Sequence, residues 1–108
     1  YVQVSHIENS PNSVCEAMLV GVPTIASFAG GTSSILKDGE EGILVQDGDP
    51  YVLAGSIVHL VQNPDLAMFY SNNAKCRALQ RHNPENVYKE LLSGYTSILS
   101  CYNSNDNR

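Results

Sequence analysis

The stretch Gly21-Val22-Pro23-Thr24-Ile25-Ala26-Ser27 constrains the fold of this chain more than any other. Gly21 supplies the left-handed residue that commonly closes a helix, and Pro23 two positions later prevents its continuation. The run from Val22 to Ser27 then reads as a strand that is apolar on both faces, as parallel strands covered by helices tend to be. A helix that stops sharply and feeds such a strand is the repeating step of an α/β sheet.

Apolar runs and breakers elsewhere repeat that step. Tyr1 to Val4 is a short strand ending in polar Ser5-His6. Ser10-Pro11 opens a helix, with Ser10 as N-cap and Pro11 at the first helical position, where its missing N–H costs nothing. Val14, Cys15, Ala17, Met18 and Leu19 make that helix apolar nearly all round, which requires it to be largely buried. Gly30-Gly31 is a flexible turn, Thr32 or Ser33 caps a short helix ended by Asp38-Gly39, and Gly42 to Gln46 is a third strand. Asp49 and Pro50 cap and start a helix carrying Leu53, Ala54, Ile57, Val58, Leu60 and Val61. Asn63-Pro64-Asp65 starts another helix that runs to about Gln80. Asn83-Pro84 precedes a last amphipathic helix bearing Val87, Leu91, Leu92, Tyr95, Ile98 and Leu99. Tyr88, Tyr95 and Tyr102 recur on it at a seven-residue spacing, as a helix-packing stripe would.

The predicted class is therefore α/β: a partial Rossmann-like parallel sheet of about three strands, with helices on both faces and further helices at the carboxyl end. Residues 1–103 form the domain, and 104–108, with no apolar anchor, are expected to fray. The start at Tyr1, inside a strand, suggests a piece of a longer protein.

At 108 residues and 43% hydrophobic content, the chain suits one modest core. Six Lys and Arg against 11 Asp and Glu give a net charge of -5, and no basic cluster tracks a phosphate backbone, which argues against nucleic acid as a partner. An acidic domain binds an anionic nucleotide through local backbone N–H groups, a helix terminus or a few placed cations. Cys15, Cys76 and Cys101 are widely spaced and match no zinc-ligand pattern, so they read as reduced packing residues, and no metal site is expected. No apolar run approaches the ~20 residues that span a bilayer, and no signal-peptide pattern is present.

In a doubly wound sheet, ligands sit beyond the carboxyl ends of the strands. Two carboxylates fall there. Glu8 is on the loop after the first strand, and Glu16 lies in the following helix, about 7.5 Å beyond Pro11 along the axis at 1.5 Å per residue. Between them, the N–H groups of the helix start are unpaired donors. Carboxylates accept hydrogen bonds from adjacent sugar hydroxyls, so the layout suits a ligand with hydroxyls at two places and an anionic link between, as in a nucleotide sugar. The alternative is structural: Glu8 as an ordinary loop acid, Glu16 as an acid near a helix start. Against it, Glu16 sits among apolar neighbours, where a charge calls for a partner or a ligand. His6 adjoins the loop with no acid or base fixed beside it and reads as a space-filling residue, Asp47 and Asp49 read as turn and cap residues, and Lys37 reads as a surface cation.

Glu8-Asn9-Ser10-Pro11-Asn12-Ser13-Val14-Cys15-Glu16-Ala17-Met18, followed by Gly21-Val22-Pro23 and Gly30-Gly31, closely resembles the Glu-x7-Glu region of family-4 retaining glycosyltransferases. The resemblance continues through Asp38-Gly39-Glu40-Glu41-Gly42-Ile43-Leu44-Val45 and Gly48-Asp49-Pro50, and covers nearly the whole chain. It departs from many relatives at Asn9-Ser10, where they have Gly-Phe, and at Ser34, where a Glu is frequent.

The resemblance implies half of the carboxyl-terminal, donor-binding domain of a GT-B fold. It implies that Glu8 orients the donor hexose through its hydroxyls, that Asn9 and Ser10 face the sugar and phosphates, and that Glu16 bonds the ribose. The substrate implied is a nucleotide diphosphosugar, with no cofactor, no bound metal and no catalytic residue within this segment. The acceptor, a glycan or glycolipid, would be held by a missing amino-terminal domain, and diphosphate-binding cations would lie upstream. The isolated segment is expected to be inactive. The resemblance further suggests polysaccharide or glycoconjugate biosynthesis in the cytoplasm or peripherally at the inner face of the membrane. A nucleotide-sugar epimerase of the same fold and a non-catalytic nucleotide-sugar-binding module are the alternatives.

Overall fold

The computed structural model describes residues 1–105, with side chains through Tyr102. Contacts divide the chain into two compact units, Tyr1–Ala78 and Leu79–Arg108.

In the first unit, strands β1 (Val2–Gln3), β2 (Ile25–Ser27) and β3 (Ile43–Val45) form a parallel sheet in that order. Val2 and Gln3 stand opposite Ile25 and Ala26, and Ile25, Ala26 and Ser27 opposite Ile43, Leu44 and Val45. Each strand is shorter than the apolar run that encodes it, because ladder pairing ends where the chain turns away at the sheet edge. Helix α1 (Asn12–Val20) leads from β1 to β2, α2 (Thr32–Ile35) from β2 to β3, and α3 (Pro50–Gln62) and α4 (Pro64–Arg81) follow.

Alternation along the strands sends side chains to two cores. Ala26 packs in a cluster with Val14, Cys15 and Met18 of α1, Ile35 of α2 and Ala74 and Ala78 of α4. Ile25 and Val45 face the other way, into a cluster with Leu60 of α3 and Tyr70 of α4. α4 thus serves both faces, its first turns on one and its later turns on the other.

The breakers act largely as the sequence indicates. Gly21 adopts φ 85°, and its N–H, with that of Val22, closes α1 by bonding the carbonyls of Ala17 and Met18. Asp49 caps α3, its carboxylate accepting from Tyr51 and Val52 N–H at 3.0 Å each, with Pro50 as the first helical residue. Two caps differ. Pro11, not Ser10, is the N-cap of α1, with ψ 97°, because a fixed φ near −70° is as compatible with extended backbone as with a helix. Gly31, rather than Thr32 or Ser33, precedes α2, and Thr32 is instead fully buried.

In the second unit, α5 (Pro84–Asn105) is capped by the Asn83 side chain, which accepts from Glu85 N–H at 2.9 Å. Val87, Tyr88, Leu91, Tyr95, Ile98 and Tyr102 are all exposed, so the expected tyrosine stripe covers nothing within its own unit. Of the tail expected over 104–108, Ser104 and Asn105 belong to α5, and residues 106–108 lie outside the described residues.

Candidate functional site

The three strands end at Gln3, Ser27 and Val45, and the loops that leave them gather along one edge of the sheet. Ser27 fastens the first two: its Oγ accepts from Ser5 N–H at 2.9 Å and donates to the Ser5 carbonyl at 2.7 Å. These bonds continue the β1–β2 pairing with a side chain after the strands diverge, and so fix where the following loop starts.

That loop then lies directly on Gly30-Gly31. Gly31 N–H donates to the Glu8 carbonyl at 3.2 Å. A Cβ on Gly30 would stand 1.5 Å from the Glu8 carbonyl oxygen, and one on Gly31 only 1.9 Å from that of Asn9. The paired glycines are therefore a seat that no side chain fits, and close backbone contact holds the loop against the sheet edge.

The Glu8 side chain is half-buried, and both of its oxygens are engaged. Oε2 accepts from Gln3 Nε2 at 3.0 Å, and Oε1 from the N–H of Asn9 at 3.1 Å. Asn9 and Ser10 are exposed beside it. A carboxylate oxygen offers about two acceptor sites, so each still has one to present.

Glu16 differs from its expectation. Despite apolar neighbours in sequence it is exposed, because Val14, Ala17 and Met18 turn inward while Glu16 shares the outer face with Asn12, Ser13 and Val20. No burial penalty therefore demands a partner for it.

His6 also departs from the sequence reading. Its Nδ1 stands 2.8 Å from the Asp47 carboxylate, joining the loop after β1 to the turn after β3. The pair spans 41 residues, and only the convergence of strand ends brings it together, so no local pattern could announce it. It borders a cleft of about 280 Å³ over the strand ends, lined by Val4, Ser27, Val45 and Leu53 among others. Asp49 is committed to its cap, and Lys37 is exposed and paired with Glu40 at 2.7 Å.

Among the described residues, no three His, Cys, Asp or Glu side chains gather as metal ligands, and no helix is long and apolar enough to cross a membrane. No disulfide joins Cys15, Cys76 and Cys101.

A three-stranded parallel sheet, helices on both faces and a carboxylate-bearing loop over its carboxyl edge make this half of a doubly wound α/β domain, the class that binds nucleotides at that edge. The chain belongs to the glycosyl transferases group 1, whose family model matches residues 1–77. Among sequence relatives it is 31% identical over 96 residues to the D-inositol 3-phosphate glycosyltransferase of Acidothermus cellulolyticus, covering 89% of this chain and 21% of that protein. It is 27% identical over 99 residues to the capsular polysaccharide biosynthesis glycosyltransferase CapM of Staphylococcus aureus, covering 92% and 26%. Among solved structures it superimposes on Anabaena HepE in complex with UDP-glucose with a TM-score of 0.81 at 26% identity, covering 89% of this chain and 27% of that one. The chain thus spans about a fifth to a quarter of the length of these proteins.

Proposed function

We propose that the full protein transfers a sugar from a nucleotide diphosphosugar to an acceptor hydroxyl with retention of anomeric configuration, and that this chain supplies part of the donor site. The observation that carries the reading is the seating of the Glu8 loop on Gly30-Gly31, which holds one carboxylate at the sheet edge with an acceptor site open on each oxygen. Family membership supports it, as does the likeness to a protein solved with UDP-glucose. Residues 1–103 act as the later part of the donor-binding domain, with 104–108 as its tail. A second domain carries the acceptor.

In this reading Glu8 accepts from hexose hydroxyls and orients the ring, Asn9 and Ser10 line the path of sugar and phosphates, and Glu16 accepts from the ribose. The exposure of Glu16 is consistent with a group that waits for a ligand in water. As transfer proceeds, the bond from the anomeric carbon to the phosphate oxygen breaks and the nucleoside diphosphate leaves with the electron pair. The acceptor oxygen bonds to the same face of that carbon and passes its proton to the departing diphosphate. Charge developing on the diphosphate needs cations and N–H donors, which the upstream part of the protein provides. No metal or cofactor enters this scheme. The likeness to CapM, a capsular polysaccharide biosynthesis glycosyltransferase, supports a place in polysaccharide or glycoconjugate synthesis. The acceptor in this reading is a glycan or glycolipid, and the enzyme works in the cytoplasm or at the inner face of the membrane.

Replacing a carboxylate by an amide removes charge-assisted hydrogen bonds of about 1.5–3 kcal/mol, roughly 10- to 100-fold in rate or affinity. Glu8→Gln in the full protein is expected to lower kcat/KM by that factor, and Glu16→Gln to act mainly through KM. NMR of the product should give the same anomeric configuration as the donor. Wild-type transfer by both folded variants would contradict the reading. Isomerisation of the donor without acceptor would point to an epimerase, and binding without turnover to a non-catalytic module.

A further inference from the structure

Gln3 is the one polar side chain of the two-residue strand β1, half-buried and in register with Ala26 of the central strand. Its Nε2 donates to Glu8 Oε2 at 3.0 Å and to Ser5 Oγ at 3.2 Å. Its Oε1 is buried with no hydrogen-bond partner among the described residues. An unpartnered buried acceptor is a cost that an apolar residue at this position would avoid. Turning the amide over would not relieve it, since the oxygen would then face a carboxylate. The charge of Glu8 thus fixes the amide orientation, and the bond to Glu8 offsets the orphaned oxygen.

We propose that Gln3 is the positioning residue that sets the plane of the Glu8 carboxylate and, through it, the discrimination between donor hexoses that differ at one hydroxyl. This rests on the donor-site reading of Glu8. A glutamate on a loop has three side-chain torsions to fix, and the Asn9 N–H that holds Oε1 belongs to the same loop and moves with it. Gln3 supplies the link to the sheet. It belongs to a chain of contacts in which Ser27 holds Ser5, the Ser5 hydroxyl meets the Gln3 amide, and the amide holds Glu8. With one acceptor site of each oxygen filled, the remaining two point in fixed directions and suit a pair of neighbouring hydroxyls of one relative configuration. Inverting one hydroxyl leaves a carboxylate site unpaired, which is how a hydrogen-bonding site rejects an analogue. A carboxylate free to rotate would follow the inverted hydroxyl and discriminate less.

Isothermal titration of the full protein with UDP-glucose, UDP-galactose and GDP-mannose, and with free UDP and GDP, tests this. Gln3→Met keeps volume but loses the donor. It is expected to weaken the preferred nucleotide sugar about ten-fold, the worth of one hydrogen bond to a charged group, and to narrow the preference between the two UDP-hexoses. Free nucleoside diphosphate should bind as in the wild type. In a Glu8→Gln background, Gln3→Met should add nothing, since the residue acts through Glu8. Should Gln3→Met fail to fold, Gln3→Thr is read in the same way. Unchanged sugar preference in a Gln3 variant, beside a Glu8→Gln variant that has lost it, would overturn the role of Gln3 and leave the donor site intact. Equal loss of nucleotide sugar and free nucleotide would mark Gln3 as structural and also overturn it. If Glu8→Gln itself binds every nucleotide sugar as the wild type does, the donor-site reading fails and this inference with it.

Discussion

At the scale of residues, the site depends on contacts with little tolerance. Gly31 is the sharper case of the glycine pair, since its φ is not positive and only space forbids a side chain. Gly31→Ala would drive a methyl group into the Asn9 carbonyl, and such overpacking costs about 1–3 kcal/mol. The predicted result is a lower melting temperature, and a larger loss of nucleotide-sugar affinity than of stability, because the Glu8 loop is what must move. His6 gives the opposite case. Its side chain is 81% exposed, and polar contacts so open to water are worth at most about 1 kcal/mol. His6→Ala should therefore leave denaturant-induced unfolding nearly unchanged at neutral pH. A loss well above that range would mean that the pair anchors the loop as firmly as the glycine seat does.

Among the elements, what was legible in sequence was what local chemistry encodes. Gly21 and Pro23 announce the end of α1 and the start of β2, and Asp49-Pro50 the cap of α3. The two-faced apolar run Ile25-Ala26 announces a parallel strand with cores on both sides, and two clusters pack against it. What was illegible depends on partners distant along the chain. Apolar neighbours made Glu16 look buried, yet one residue in a helix turns about 100° from the next, so neighbours in sequence do not share a face. The Gln3–Glu8 and His6–Asp47 contacts exist because strand ends converge, which no periodicity records. Met18 illustrates the legible kind. It is 1% exposed within the α1 cluster, and Met18→Ala should lower stability by about 2–5 kcal/mol in chemical denaturation, depending on how far the site collapses.

On the scale of the molecule, the sheet unit Tyr1–Ala78 brings together the loops of the proposed site, while α5 in the second unit carries an exposed apolar face. The chain corresponds to about a quarter of the length of the relatives it matches, and in the function proposed above transfer belongs to the full protein and donor recognition to this part of it. The proposed recognition is divided between two carboxylates, Glu8 on the hexose and Glu16 on the ribose. The most direct measurement is a titration of the full protein and its Glu8→Gln and Glu16→Gln variants with a nucleotide sugar and with the matching free nucleoside diphosphate. Glu8→Gln should weaken the nucleotide sugar alone, and Glu16→Gln should weaken both ligands by the same factor. Equal affinities across all three proteins, or a Glu8→Gln variant that loses free nucleotide as much as nucleotide sugar, would contradict the account.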